Sequence, residues 1–181
     1  MRWGKREGYS WGAMRKYLER EYICDALKGR VRYFATRYRE PHDEPGRVAI
    51  RIGGKEVYRS DFSDWYDKFK TAWEKTDAAS NRTEKQSISE LAALKKGGFN
   101  AYHFYDAFYE YHNQSIEKSL YFEDPIVRLF AVFNRRVGKR TLIKRAPDVE
   151  NQPEWLRSFY RLRYEAEGLE IDQREDSLLA E

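Results

Sequence analysis

The sequence predicts an α+β fold: an N-terminal helix, a three-stranded antiparallel sheet and a helical C-terminal half. Two observations carry that expectation. Residues 47–60, RVAIRI then Gly53-Gly54 then KEVYRS, alternate apolar and polar side chains about a glycine pair able to take the positive φ angles of a tight hairpin turn. From Asp61 onward the apolar side chains instead recur every three or four residues, the period of helices with one buried face.

Taken in chain order, Trp11 to Lys28 spaces Met14, Leu18, Tyr22 and Ala26 four apart before Gly29, which predicts the first helix and its end. RVRYFATRYR, residues 30–39, is rich in β-branched and aromatic types and predicts a strand, followed by the turn cluster EPHDEPG. A two-residue hairpin turn sets Ile52 opposite Lys55, Arg51 opposite Glu56, Ile50 opposite Val57 and Ala49 opposite Tyr58. That register buries Ile50 with Val57 and leaves Arg51 and Glu56 as an opposite-charge pair in water.

Asp61 is the expected N-cap of a helix carrying Phe62, Trp65, Phe69, Ala72 and Trp73 on one face. Residues 76–87, TDAASNRTEKQS, read as a loop, and a shorter helix around Ile88, Leu91 and Leu94 ends at Gly97-Gly98. Asn100 opens a helix ringed by Tyr102, Phe104, Tyr105, Phe108, Tyr109 and Tyr111, which is expected at the centre of the core. Asp124-Pro125 supplies an N-cap and first helical residue for the stripe Ile126, Leu129, Phe130, Phe133 and Val137, with Gly138 as its end. The last helix follows Pro153, with Trp155, Phe159, Leu162 and Ala166 on one side and Arg161/Glu165 as an i,i+4 pair on the other. Residues 1–169 are expected to form one α+β domain, and residues 170–181 an acidic, frayed tail.

Composition narrows the function classes. The single Cys24 excludes an intrachain disulfide framework and any multi-cysteine zinc site, as suits a reducing cytoplasm. The basic N-terminus lacks the apolar run of a signal peptide, and nowhere do apolar residues run long enough to span a bilayer, so no membrane association is expected. The net charge of +4 conceals blocks of opposite sign. Residues 1–59 hold 15 Lys/Arg against 8 Asp/Glu and residues 126–146 hold 7 against none, whereas residues 60–125 and 147–181 are acidic. Such asymmetry either steers a charged partner or is neutralised within the fold.

FNRRVGKRT, residues 133–141, contains a Gly-Lys pair shortly before a Thr, which invites comparison with a phosphate-binding loop. That loop needs a Gly five residues before the pair, a Ser or Thr directly after the Lys, and a preceding strand. Phe133, Arg140 and a predicted helix occupy those places. Gly138 is accounted for as a helix end, with Arg135, Arg136, Lys139 and Arg140 near its negative pole.

The cations remain. Arg128 and Arg135 lie opposite the apolar stripe, and Arg136, Lys139, Arg140, Lys144 and Arg145 extend the series into a basic ridge suited to phosphates or an acidic protein surface. On the first strand Arg30 and Arg32 share the parity of the rings Phe34 and Tyr38, an arrangement able to stack and hold single-stranded nucleic acid. His103, Asp106 and Glu110 share a helical face at i, i+3 and i+7, the spacing for a divalent cation or a carboxylate-oriented imidazole. No second ligand cluster completes that set, and no cofactor motif is present.

Residues 24–62, CDALKG through RSDF, and 123–168, EDPIVR through EAEG, together resemble a family of small uncharacterised bacterial cytoplasmic proteins, some of whose members carry the label nonsense-mediated decay protein. The R-R-V-G-K-R run and the P-E-W-L ending of the second block are its more specific parts. The resemblance implies a bacterial, cytoplasmic origin and carries over no catalytic residue. The expectation is therefore a non-enzymatic binding protein that meets an acidic protein surface or nucleic acid through Arg30, Arg32, Arg128, Arg135, Arg136, Lys139, Arg140, Lys144 and Arg145. The alternatives are dedicated nucleic-acid binding and a metal-assisted hydrolase or nuclease using His103 with Asp106 or Glu110.

Overall fold

The computed structural model describes residues 10–36, 46–77, 79 and 81–171. Tyr38, most of the EPHDEPG turn and all but the start of the acidic tail lie outside them. The fold is α+β, with a three-stranded antiparallel sheet in the order β1 (Val31–Ala35), β2 (Val48–Ile52), β3 (Lys55–Ser60) and a helical C-terminal half.

Ser10 opens α1 (Trp11–Lys16) by accepting the Ala13 N–H at 3.3 Å, and the helix continues as a π turn over Tyr17–Glu21. The sequence predicts this helix as far as Lys28, but it stops at Tyr22 because a distant segment takes over its backbone groups. Ile23 bridges to Asn134, and the Cys24 N–H donates to the Phe133 carbonyl at 2.8 Å.

The hairpin turn forms at Gly53 and Gly54, with φ of 57° and 85°, and the first two pairs, Ile52 with Lys55 and Arg51 with Glu56, match the predicted register. Beyond them a bulge shifts the ladder so that Ile50 faces Tyr58 and Ala49 faces Arg59. The expected Ile50/Val57 pair is thereby replaced, and Val57 is left 51% exposed. The physical reason is the larger ring. Tyr58 stacks on Phe99, lies against Trp155 and donates its hydroxyl to the Gly97 carbonyl, contacts the smaller Val57 does not offer. Gly97, at φ +80°, must be glycine, since a Cβ there would stand 2.1 Å from the Tyr58 hydroxyl.

Asp61 caps α2 (Phe62–Lys75), and Asn81 caps α3 (Arg82–Lys95) by accepting the Glu84 N–H at 2.9 Å. The loop predicted over 76–87 is therefore shorter, because the first two turns of α3 are solvent-facing and show no apolar stripe. The two helices pack as an antiparallel hairpin. Then follow α4 (Ala101–His112), α5 (Ile116–Leu120), α6 (Pro125–Val132), α7 (Lys139–Arg145) and α8 (Glu154–Ala166). The inward face of the sheet, Val31, Tyr33, Val48 and Ile50, meets α4 and α6: the Tyr33 ring stands edge-on to Phe104 at 6.0 Å and to Phe130 at 5.5 Å. α4 is the core helix that its rings predict, burying Phe104, Ala107, Phe108 and Tyr111. In α6 seven of eight residues are buried, so this helix is enclosed all round and Arg128 alone reaches its edge. Among the described residues no helix is long and apolar enough to cross a membrane.

The N-cap of α6 is also a titration site. Asp124 accepts the Ile126 N–H at 2.7 Å, and desolvation raises its carboxyl to about 6 against the opposing pull of that bond, His103 and Arg128. A carboxyl whose pKa is higher folded than unfolded favours folding fully below its unfolded value, and that contribution is lost as pH rises through about 6. Asp124→Asn keeps a capping oxygen and removes the titration. Its melting temperature relative to the parent protein is expected to be a few degrees higher at neutral pH, with the gap closing toward pH ~4, the unfolded carboxyl range. A gap independent of pH would show that this carboxyl is not responsible.

Candidate functional site

The basic residues of 126–146 do not form one ridge; the fold divides them. α6 ends at Val132 rather than Gly138, because residues 133–138 fold into a turn held from three sides. Arg135 N donates to the Tyr22 carbonyl at 2.6 Å, and the Asn134 side chain accepts the Arg136 N–H at 2.7 Å while donating to the Tyr111 hydroxyl. From α8, Arg163 donates through Nε to the Val132 carbonyl at 3.1 Å and through Nη2 to the Val137 carbonyl at 2.8 Å. Arg163 is buried, and its remaining arm pairs with Glu167. Gly138 is consequently the N-cap of α7, not the end of α6. Lys139 and Arg140 thus open a helix, at its positive pole, where the dipole disfavours cations.

Two groups result. Arg135, Arg136, Lys139, Arg140 and Lys144 are exposed, with the apolar Ile143 exposed among them at 60%. Among the described residues no ion pair engages these five cations. Arg128 and Arg145 turn inward instead, to the wall of a cavity between the end of α3, the α5–α6 junction and the start of α8. Arg128 donates through Nη1 to the Phe122 and Glu123 carbonyls at 2.6 and 3.1 Å, and burial lowers its pKa.

Three cations of the sheet, Arg32, Arg47 and Arg51, are engaged within the fold. Arg30 is exposed at the start of β1, but Arg32 pairs with Glu19 at 2.9 Å. Glu19, only 3% exposed, also accepts from Arg15 at 2.9 Å and from the Tyr33 N–H at 2.7 Å. On the outer face of the sheet Glu56 pairs with Arg47 and Arg51, and both guanidiniums lie over the Phe34 ring, at 5.8 and 5.2 Å from its centre. The ring expected to stack a base is covered by the protein's own arginines.

His103 is buried, whereas Asp106 is half-buried and Glu110 exposed on the same helix. Its Nδ1 accepts the Asn100 N–H at 3.1 Å, completing the cap of α4, its Nε2 lies 3.4 Å from Glu90, and its ring packs on Trp65. Among the described residues no group of three or more His, Cys, Asp or Glu is placed to hold a metal ion. Cys24 is buried and free, with burial raising its thiol pKa. Sequence reasoning missed Glu19, Arg163 and Asn134, the polar residues that organise the region. Each owes its role to partners distant in the chain, and none stands in a motif.

No curated protein and no solved structure matches this chain. The SF0329 protein family model matches residues 10–164, a span that contains the π turn with Glu19, the whole sheet, the divided basic region and nearly all of α8, and on that match the chain belongs to the SF0329 protein family.

Proposed function

We propose that this is a non-enzymatic binding protein whose exposed cations Arg135, Arg136, Lys139, Arg140 and Lys144 take an acidic protein surface. The observation that carries the reading is the placement of these five side chains. They are exposed, without an ion pair among the described residues, and two of them sit at a helix pole that disfavours them. Local stability therefore does not account for them, whereas long-range attraction to an acidic partner does. Ile143, exposed between Lys139, Arg140 and Lys144, favours a protein over a polyphosphate because it offers an apolar contact inside the charged patch. The covered Phe34 ring argues in the same direction, against base stacking on the sheet. The resemblance of residues 24–62 and 123–168 to small bacterial proteins supports a bacterial cytoplasmic setting.

The test is fluorescence anisotropy of two labelled probes, an acidic peptide containing leucines and a duplex DNA of similar charge, at about 50 and 200 mM salt. The peptide is expected to bind more tightly than the DNA, and the charge reversal Lys139→Glu with Arg140→Glu to weaken it by about tenfold or more. Tighter, steeply salt-dependent binding of DNA would transfer the surface to nucleic acid. Affinities unchanged by the double reversal would remove this surface from the binding account.

A further inference from the structure

The cavity walled by Arg128 and Arg145 has features that the exposed surface lacks. Its volume is about 560 Å³, the size of a small-molecule site. Arg145, 4% exposed, lies with its guanidinium carbon 4.1 Å from the centre of the Tyr121 ring and has only a distant carboxylate, Asp148 at 3.7 Å. Its Nε and Nη1 are buried with no acceptor, as is Nε of Arg128, and the side-chain oxygen of Gln152, which also lines the cavity, is buried with no donor. Tyr160 belongs to the same cluster. Its hydroxyl lies within reach of Arg145, and the two guanidiniums offset part of the rise in pKa that burial imposes. Burial is the main influence disfavouring the charge on Arg128; Asp124 favours that charge and Arg145, more weakly, opposes it.

Two half-satisfied guanidiniums beneath a cavity are an unfavourable arrangement for the empty protein, and an anion between them relieves it. The charges and donors at the wall indicate which anion. The cavity wall carries four cations, Lys95, Arg128, Arg145 and Arg157, against the two carboxylates of Asp148 and Glu154. Arg157 is paired with Glu150 outside the wall, at 3.3 Å, so the choice rests on the donors: a phosphomonoester presents three oxygens, one for each of the unsatisfied Nε and Nη1 of Arg145 and Nε of Arg128, whereas a monocarboxylate presents two. α8 begins at the same wall with no side chain capping its first N–H groups. The unpartnered oxygen of Gln152 is an acceptor, which calls for a donor such as a hydroxyl on the body of the ligand.

We propose that this cavity binds a small phosphomonoester with a hydroxyl-bearing body, its phosphate held by Arg128 and Arg145. The site is separate from the exposed cations of 135–144 and does not depend on the reading given to them.

The experiment is calorimetric titration of the full chain with ribose 5-phosphate, inorganic phosphate, ribose and succinate, with thermal shift in parallel. Ribose 5-phosphate is expected to bind saturably and more tightly than inorganic phosphate, ribose not to bind, and succinate to bind more weakly than either phosphate. Arg145→Gln should weaken ribose 5-phosphate by about tenfold or more. Because Arg145 is buried and its replacement can disturb the fold, Lys95→Gln at the exposed rim is the second variant, expected to weaken binding about threefold. Lys139→Gln with Arg140→Gln should leave it unchanged. Absence of saturable binding by both phosphate probes in the millimolar range would overturn the proposal. So would binding that survives both Arg145→Gln and Lys95→Gln, or succinate binding more tightly than ribose 5-phosphate.

Discussion

Arg163→Leu is expected to destabilise the protein by about 4 kcal/mol, the range for removing one partner of a buried charged network. The substitution keeps an apolar stem but strands what the guanidinium satisfied: the Val132 and Val137 carbonyls and the Glu167 carboxylate. For a chain of this length the loss corresponds to a fall in melting temperature of roughly 10 °C. The effect should extend beyond stability. Val132 ends α6 and Val137 precedes the cap of α7, so the turn presenting Arg135 and Arg136 loses its support from α8. Amide exchange in the variant should therefore rise in residues 133–138 more than in the hairpin of β2 and β3. Uniform acceleration across the chain would mean that Arg163 contributes global stability without positioning the turn.

Glu19→Leu is expected to cost about 3 kcal/mol. The carboxylate sits in the π turn after α1 and joins Arg15, Arg32 and the Tyr33 N–H, linking the first helix to β1. Arg15 and Arg32 are only partly buried and can turn to water, so the loss falls chiefly on the buried Tyr33 N–H and on the link itself. Glu19→Gln, which keeps an acceptor for that N–H, should recover about half the stability in chemical denaturation. Equal losses in the two variants would place the whole effect in the charge.

Much of the fold was legible because it is local. The glycine pair set the turn, Asp61, Asn100 and Asp124-Pro125 began helices where side-chain caps and a proline are suited to begin them, and the rings of α4 marked a core helix. What was not legible depends on partners far along the chain. The first helix stops where Ile23 meets Asn134, the hairpin bulges where Tyr58 reaches Phe99 and Trp155, and α6 ends where Arg163 takes the Val132 carbonyl. Charge shows the same division. Composition revealed two basic blocks, but Arg161 pairs with Glu150, Arg32 with Glu19, and Arg47 and Arg51 with Glu56, assignments that no spacing rule encodes. The i,i+4 spacing predicts a pair with Glu165 in the same helix; the loop before α8 supplies the carboxylate of Arg161 instead, 11 residues earlier in the chain.

That division is the basis of the functional reading. Arg32, Arg47 and Arg51 of the sheet are occupied by carboxylates and an aromatic ring, while the cations of 135–144 are exposed and in no ion pair among the described residues. The most direct measurement is an amide-resolved NMR titration of the full chain with the leucine-containing acidic peptide. Shifts concentrated in residues 135–144, with Arg32, Arg47 and Arg51 unmoved, are the result this account predicts. Shifts centred on the sheet face, or none at peptide concentrations where anisotropy reports binding, would contradict it.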